Sequence, residues 1–318
     1  MNDKIKIGTV GLGLMGSSIV TCLLASGHRV TSLIQHIEKA DAAKKRILGF
    51  LEQLKGEGML KGDPSVVVEM LTVTDDVSLL AGHELVIESI VENLSEKKQL
   101  FLKLETVLDS TAIIGSNTSA IPVTILQEGL KHPERLLGIH WGEPAHVLRF
   151  LEVICGNATD IKYAEKVMTL AAGLGKEPSL VKKDIRGFIT NRLMYAMLRE
   201  SFHLVDKGYA TYADIDRACR NDFGYWITFA GLFRFMDLTG IPAYLTVMKD
   251  LFPELDNSAT PPAFMEEIVA AGAKGVSNAQ GFYPYTKESA EKWEKLFNEF
   301  SYEIRKLSEK YPQNIGDL

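Results

Sequence analysis

The chain has 318 residues, 46% of them hydrophobic and 24% charged, and carries a net charge of -6. That length suits two domains better than one core, and that composition excludes a disordered chain. The acidic balance argues against a nucleic-acid partner, because phosphate binding draws on clustered Lys and Arg.

Three dispersed cysteines, Cys22, Cys155 and Cys219, form no CxxC pair, so neither a disulfide framework nor a metal site is expected. Each reads as a small buried apolar residue. No apolar run reaches the ~18 residues that a bilayer span needs. The opening MNDKIKIGTVGLG leads straight into a strand, so no cleavable leader is expected. A cytoplasmic protein with no membrane partner is expected.

In chain order, Lys4 to Val10 reads as a buried strand, followed by glycines from Gly11 to Gly16, a helix over Ser17 to Ser26 and a second strand over Arg29 to Ile34. A charged helical arm spans Glu38 to Gly62, with Ile47, Phe50, Leu51 and Leu54 at helical spacing, and a further helix covers Pro64 to Met70. Strand-like runs recur at Leu71 to Thr74, Leu85 to Ile90, Ala112 to Ser116, Leu136 to His140 and Phe150 to Cys155, with a helix over Ser95 to Leu108. This alternation predicts an α/β domain, a Rossmann-like doubly wound and mainly parallel sheet over residues 1–184. From 185 to 318 no strand is evident. Helices over Thr190 to Lys207, Tyr212 to Arg220, Pro261 to Ala271 and Glu288 to Glu309 predict an all-α C-terminal domain, with Gly187 near the boundary.

Gly11-Leu12-Gly13-Leu14-Met15-Gly16 has the spacing G-x-G-x-x-G and the context that gives it meaning, after a strand and opening a helix. In such a turn the first glycine allows the tight bend, the second lets a pyrophosphate approach, and the third lets helix and strand pack closely. The helix N-terminus then offers N–H donors and a partial positive charge to the anion. A dinucleotide is therefore expected. The second strand ends Leu33-Ile34-Gln35-His36, without the carboxylate that grips an adenosine ribose and without an arginine for a 2′-phosphate. NAD is favoured, with Gln35 or His36 as a neutral ribose contact, and NADP stays open.

Beyond this turn, Val91-Glu92-Asn93-Leu94 with Lys97, Ser116-Asn117-Thr118-Ser119, the stretch from His140 to Glu152, Gly187-Phe188-Ile189-Thr190-Asn191-Arg192-Leu193 and Gln280-Gly281-Phe282-Tyr283 follow in order. With them the chain resembles the 3-hydroxyacyl-CoA dehydrogenase family over nearly its whole length. The resemblance implies a Rossmann-like domain, a helical domain that forms a homodimer, and NAD-linked oxidation of an L-3-hydroxyacyl thioester to the 3-keto form, as in fatty acid metabolism. It implies His140 as catalytic base with Glu152 as partner, Ser119 and Asn191 as substrate contacts, and Glu92, Lys97 and Asn117 beside the cofactor.

The chemistry agrees with those residue types. Oxidising a secondary alcohol needs a base, and an unperturbed imidazole titrates near neutral pH. A carboxylate can fix its tautomer and stabilise the imidazolium. Duller readings stand beside these: Ser119 as the N-cap of the next helix, Glu152 as an ordinary salt-bridged residue, Asn191 as a plain helix residue, and His36 and His146 as structural.

The sequence departs from the family where His140-Trp141-Gly142-Glu143-Pro144 replaces the usual His-x-x-Asn-Pro. Glu143 thus puts a carboxylate where the family contacts cofactor or substrate, unless it turns outward to pair with Arg149. Gly224 to Leu232 looks more like branches acting on small hydroxy acids, such as carnitine or gulonate dehydrogenases; Trp226 and Phe229 are pocket wall or helix core. Lys44, Lys45, Arg46, Lys55 and Lys61 meet CoA phosphates or form a solvated face. The leading expectation is a short-chain 3-hydroxyacyl-CoA dehydrogenase. The rivals are a dehydrogenase of a free 3-hydroxy acid and a dinucleotide-binding protein with little catalysis.

Overall fold

The computed structural model describes residues 4–311. It divides into two compact units, Met1–Thr190 and Asn191–Leu318. The first is built on an eight-stranded sheet of β1 (Ile7–Val10), β2 (Val30–Leu33), β3 (Leu71–Thr74), β4 (Leu85–Glu88), β5 (Ile113–Ser116), β6 (Leu136–Trp141), β7 (Phe150–Cys155) and β8 (Glu177–Val181). Their spatial order is β3-β2-β1-β4-β5-β6-β7-β8. The first six strands pair in parallel, β7 runs antiparallel to β6, and β8 is parallel to β7. This is the doubly wound Rossmann-like order with two strands added beside β6.

The helices of this unit are α1 (Leu14–Ala25), α2 (Ala40–Gly56), α3 (Pro64–Val68), α4 (Leu94–Glu105), α5 (Val123–Gln127) and α6 (Ile161–Gly173). α1 is apolar nearly all round and is buried from Gly16 to Leu24, as a helix enclosed by its surroundings should be. α2 buries only Ala43, Ile47, Leu51 and Leu54, which recur every three or four residues along one face. One core cluster joins Val10, Leu33, Val86, Ile114, Leu136 and Ile154 of the strands to Phe101 and Leu104 of α4.

The second unit carries α7 (Thr190–Asp206), α8 (Tyr212–Ala218), α9 (Gly224–Thr239), α10 (Ile241–Leu251), α11 (Ala263–Ala270) and α12 (Lys287–Glu309), and among the described residues no strand. α9 and α10 were not evident in the sequence, because Gly231 and Gly240, both at positive φ, interrupt the run. β8 and α6 were also missed, and α5 starts later than the helix that Ser119 was read as capping. Cys22 and Cys155 are buried, but Cys219 is only half-buried, contrary to expectation. No helix among the described residues is long and apolar enough to cross a membrane.

Candidate active site

The sheet brings the candidate residues to one edge. The carboxyl ends of β1, β4, β5 and β6 are neighbours and carry in turn the glycine turn, Glu92, Asn117 to Ser119, and His140. With adjacent strands ~4.8 Å apart, the glycine turn and His140 stand on the order of 14 Å from each other across the sheet.

The three glycines of the turn have different reasons for being there. Gly11 sits at φ +94°, and a Cβ on it would lie 2.5 Å from the Ser89 carbonyl oxygen. A Cβ on Gly16 would lie 2.1 Å from the Gly11 oxygen. Gly13 is different: it caps α1 at φ -63° with no side-chain cap, and a Cβ there would meet nothing within 4 Å. The protein itself places no steric demand on Gly13, whereas a group approaching the exposed first-turn N–H donors of α1 does. The residues present therefore fit a dinucleotide pyrophosphate.

The turn is fixed by a hydrogen bond from Gly11 N to Leu33 O of 2.9 Å. Arg46 of α2 donates to Leu12 O and Ser17 Oγ, each at 3.2 Å. Arg46 lies on the helical arm as expected, but its guanidinium binds the glycine turn, a role neither the CoA-phosphate nor the solvated-face reading gave it. Leu12 is buried, Met15 half-buried and Leu14 exposed. Gln35 is exposed just past β2, and His36 Nδ1 lies 3.2 Å from Glu38 Oε1, so a carboxylate does stand nearby, a few residues later than expected.

This difference among the glycines gives a paired expectation. Gly13→Ala should fold with an unfolding temperature close to wild type, yet lose about tenfold or more of its NAD affinity. Gly16→Ala should fail to fold, since the turn has no room for its Cβ. Calorimetric titration of Gly13→Ala with NAD checks this, and wild-type affinity would contradict it.

His140 is the penultimate residue of β6, and the antiparallel register sets it directly opposite Glu152 of β7. Directly opposed residues point to the same face with Cβ atoms ~5 Å apart. His140 Nδ1 donates to Glu152 Oε2 at 2.8 Å, and both side chains are buried. Phe150 stands edge-on to the imidazole at 5.5 Å and Phe188 is tilted against it at 5.7 Å. With Nδ1 engaged, Nε2 is the nitrogen left for proton transfer.

Glu152 is held as a carboxylate. Its Oε1 accepts from the backbone N–H groups of Ile189 and Thr190, each at 3.0 Å. Burial pushes its pKa up, but the bonds from His140 and these amides outweigh burial and leave it below the usual value. The amides are aimed by Gly187 at φ +82° and Phe188 at φ +50°. Phe188 is 1% exposed, so its left-handed backbone is held by packing. Sequence reasoning quoted this doublet and missed its role. Asp184, near the expected boundary, accepts from Thr124 N at 2.6 Å.

A second network lies beneath the β4 and β5 loops. Glu92 Oε1 accepts from Thr118 Oγ1 at 2.5 Å, Ser119 N at 3.0 Å and Ala120 N at 3.2 Å, and its Oε2 lies 3.3 Å from Lys97 Nζ. Burial raises the Glu92 pKa, but the Thr118 hydroxyl and Lys97 bring it below the usual value. Lys97 has no exposed surface, so it is placed to hold Glu92 rather than to present its own ammonium to a cofactor. The N-cap reading of Ser119 does not hold either: Pro122 caps α5. Asn117 ties the strand ends together, with Nδ2 3.3 Å from Ser89 Oγ and Oδ1 accepting from Trp141 N at 2.9 Å.

Glu143 is exposed just past β6. It does not pair with Arg149, which binds Glu177 at 2.8 Å. Asn191 opens the second unit, half-buried on α7. In that unit half-buried Trp226 stacks on Phe235 at 4.0 Å, and Phe229, which is exposed, meets Tyr311 edge-on at 5.9 Å, so neither lies in a closed core. His146 is structural, bonded to Ser18 Oγ at 2.7 Å and stacked on Phe50 at 4.4 Å. No cluster of His, Cys, Asp or Glu suited to a metal occurs among the described residues.

Comparison with known proteins agrees with this geometry. The model of the 3-hydroxyacyl-CoA dehydrogenase NAD-binding domain matches residues 6–185, and that of the C-terminal domain matches residues 187–285. The chain is 32% identical to 5-formyl-3-hydroxy-2-methylpyridine 4-carboxylate 5-dehydrogenase of Mesorhizobium japonicum, over 89% of this chain and 91% of that protein. It is 30% identical to 3-hydroxybutyryl-CoA dehydrogenase of Mycobacterium tuberculosis, over 90% of this chain and 100% of that one. A crystal structure of the pyridine-carboxylate enzyme, described as an NAD+-dependent dismutase, superposes with a TM-score of 0.88 at 28% identity, covering 97% of this chain and 100% of that one. The protein binds NAD and is an oxidoreductase acting on CH–OH donors. The chain belongs to the 3-hydroxyacyl-CoA dehydrogenase family.

Proposed function

We propose that the protein reversibly oxidises a short L-3-hydroxyacyl-CoA to the 3-ketoacyl-CoA. The observation that carries this reading is the 2.8 Å bond between His140 Nδ1 and Glu152 Oε2. His140 Nε2 takes the hydroxyl proton, and Glu152 fixes the tautomer and stabilises the imidazolium that forms. Ser119 and Asn191 hydrogen-bond the reacting oxygen and hold its carbon in place. Bound NAD supplies the hydride acceptor. Gly11 to Gly16 hold its pyrophosphate, with Gln35 at the ribose and Glu92, Asn117 and Glu143 near its other half.

A second reading, a dehydrogenase of a free hydroxy acid, is favoured by the pyridine-carboxylate relative, whose name includes no CoA. NADH consumption is to be measured with acetoacetyl-CoA, free acetoacetate and a pyridine aldehyde acid. Turnover of the thioester at about a hundredfold higher kcat/KM than the free acids supports the first reading. A preference for the free acids overturns it in favour of the second.

The protein is further read as a cytoplasmic homodimer joined through its helical unit. In that unit Tyr225 is 80% and Phe233 82% exposed, and Trp293, Phe297 and Phe300 are exposed as well. Large apolar side chains left exposed in this number are what an interface would cover. Sedimentation equilibrium checks this, and a monomer at micromolar concentration contradicts it.

A further inference from the structure

Beneath the network that holds Ser119 lies a further carboxylate, fully enclosed. Glu88 closes β4 and has no exposed surface. Its Oε1 accepts from Lys97 Nζ at 2.5 Å and from Ile90 N at 2.7 Å, and its Oε2 accepts from Ser116 Oγ at 2.6 Å. Its backbone oxygen accepts from Asn117 N at 2.8 Å. One residue thus joins the end of β4, the end of β5 and the start of α4. Lys97 passes the connection on, because its ammonium lies between Glu88 and Glu92. Glu92 in turn receives three donors from residues 118–120.

Taking an ion pair fully out of water costs more than a surface pair returns, so Glu88–Lys97 is weak evidence of stabilisation. What such a pair does specify is geometry. With Glu88 neutral, the buried ammonium keeps only Glu92 as its charged partner and must follow that side chain. With Lys97 removed, two carboxylates face each other without a counter-ion, and Glu92, which is partly exposed, can turn to water. In both cases the grip on the Ser119 and Ala120 amides is lost.

We propose that Glu88, acting through Lys97 and Glu92, is a positioning residue that fixes the 118–120 segment and with it Ser119. The proposal rests on the reading of Ser119 as a substrate contact. Glu88 touches neither substrate nor cofactor.

The test combines hydrogen–deuterium exchange on the full chain with a kinetic cycle over Glu88→Gln, Ser119→Ala and the double variant, using acetoacetyl-CoA and NADH. In Glu88→Gln the amides of residues 119 and 120 are expected to exchange about tenfold faster, with kcat lowered about tenfold. Adding Ser119→Ala is expected to lower kcat no further, because both changes disable the same contact. Wild-type exchange at 119 and 120 in Glu88→Gln overturns the proposal, and so do losses that multiply in the double variant. If Ser119→Ala alone keeps full kcat while Glu88→Gln frees the amides, the network stands and the reading of Ser119 falls. Should Glu88→Gln not fold, Ser116→Ala, which removes one bond to Glu88, carries the test with the same signs and smaller effects.

Discussion

His140→Ala is expected to lower kcat by about 10²–10⁴ in either direction, the range that a positioned general acid–base contributes. Neither of the buried charged groups beside it can take over its task. Glu152 is buried, ionised and directed at His140 and two backbone amides, so it has no oxygen to offer a substrate. Lys97 is enclosed by two carboxylates. NAD affinity should change little, because the glycine turn lies three strands away in the sheet order. Single-turnover measurement of NADH oxidation checks the chemical step, and retention of more than about a tenth of the rate removes the imidazole from the mechanism.

The second large effect is expected at Glu152→Gln. The carboxylate satisfies His140 on one oxygen and Ile189 N and Thr190 N on the other, and all three partners are donors. An amide has one acceptor oxygen and one donor nitrogen, so it must oppose one of these sets with N–H groups of its own. Either the imidazole loses its orienting partner or the Ile189 and Thr190 amides lose their acceptor. A kcat loss of about 10²–10⁴ follows from the wrong tautomer or orientation, and destabilisation of about 1–3 kcal/mol from the unmatched buried donors.

The pH dependence has a definite sign. Glu152 is held below its ordinary pKa in the folded protein, so its contribution to stability is present above the unfolded value and lost as pH falls through the folded one. Wild type should therefore lose stability on acidification more steeply than Glu152→Gln. Thermal unfolding across pH 3 to 7 reads this, and parallel curves would contradict it.

The legible parts of the site were those written locally. The glycine turn stands out because strand, turn and helix are consecutive, and its three glycines meet demands that arise within a few residues. The pairing of His140 with Glu152 was readable as a motif, but its cause is the antiparallel ladder of β6 and β7, in which the two positions are directly opposed. Glu88 was not legible. A carboxylate ending the run LVIE looks like the solvent end of a strand, while its partners come from α4 and β5, nine and 28 residues later.

Edges of the fold hid in a similar way. β8 reads Glu-Pro-Ser-Leu-Val, and proline is tolerated there because β8 is the last strand of the sheet. The left-handed backbone of Phe188 leaves no mark in composition, although it aims the amides that hold Glu152. Arg149 was one alternative partner for Glu143 on proximity in sequence, yet the β7–β8 pairing brings Glu177 beside it instead.

A crystal structure of the protein with NAD and a non-reactive hydroxyacyl analogue tests the account most directly. The substrate oxygen is expected within ~3 Å of His140 Nε2, with the pyrophosphate on the first turn of α1. A substrate oxygen more than ~6 Å from that nitrogen in the fully liganded protein, or a cofactor bound away from the turn, contradicts it.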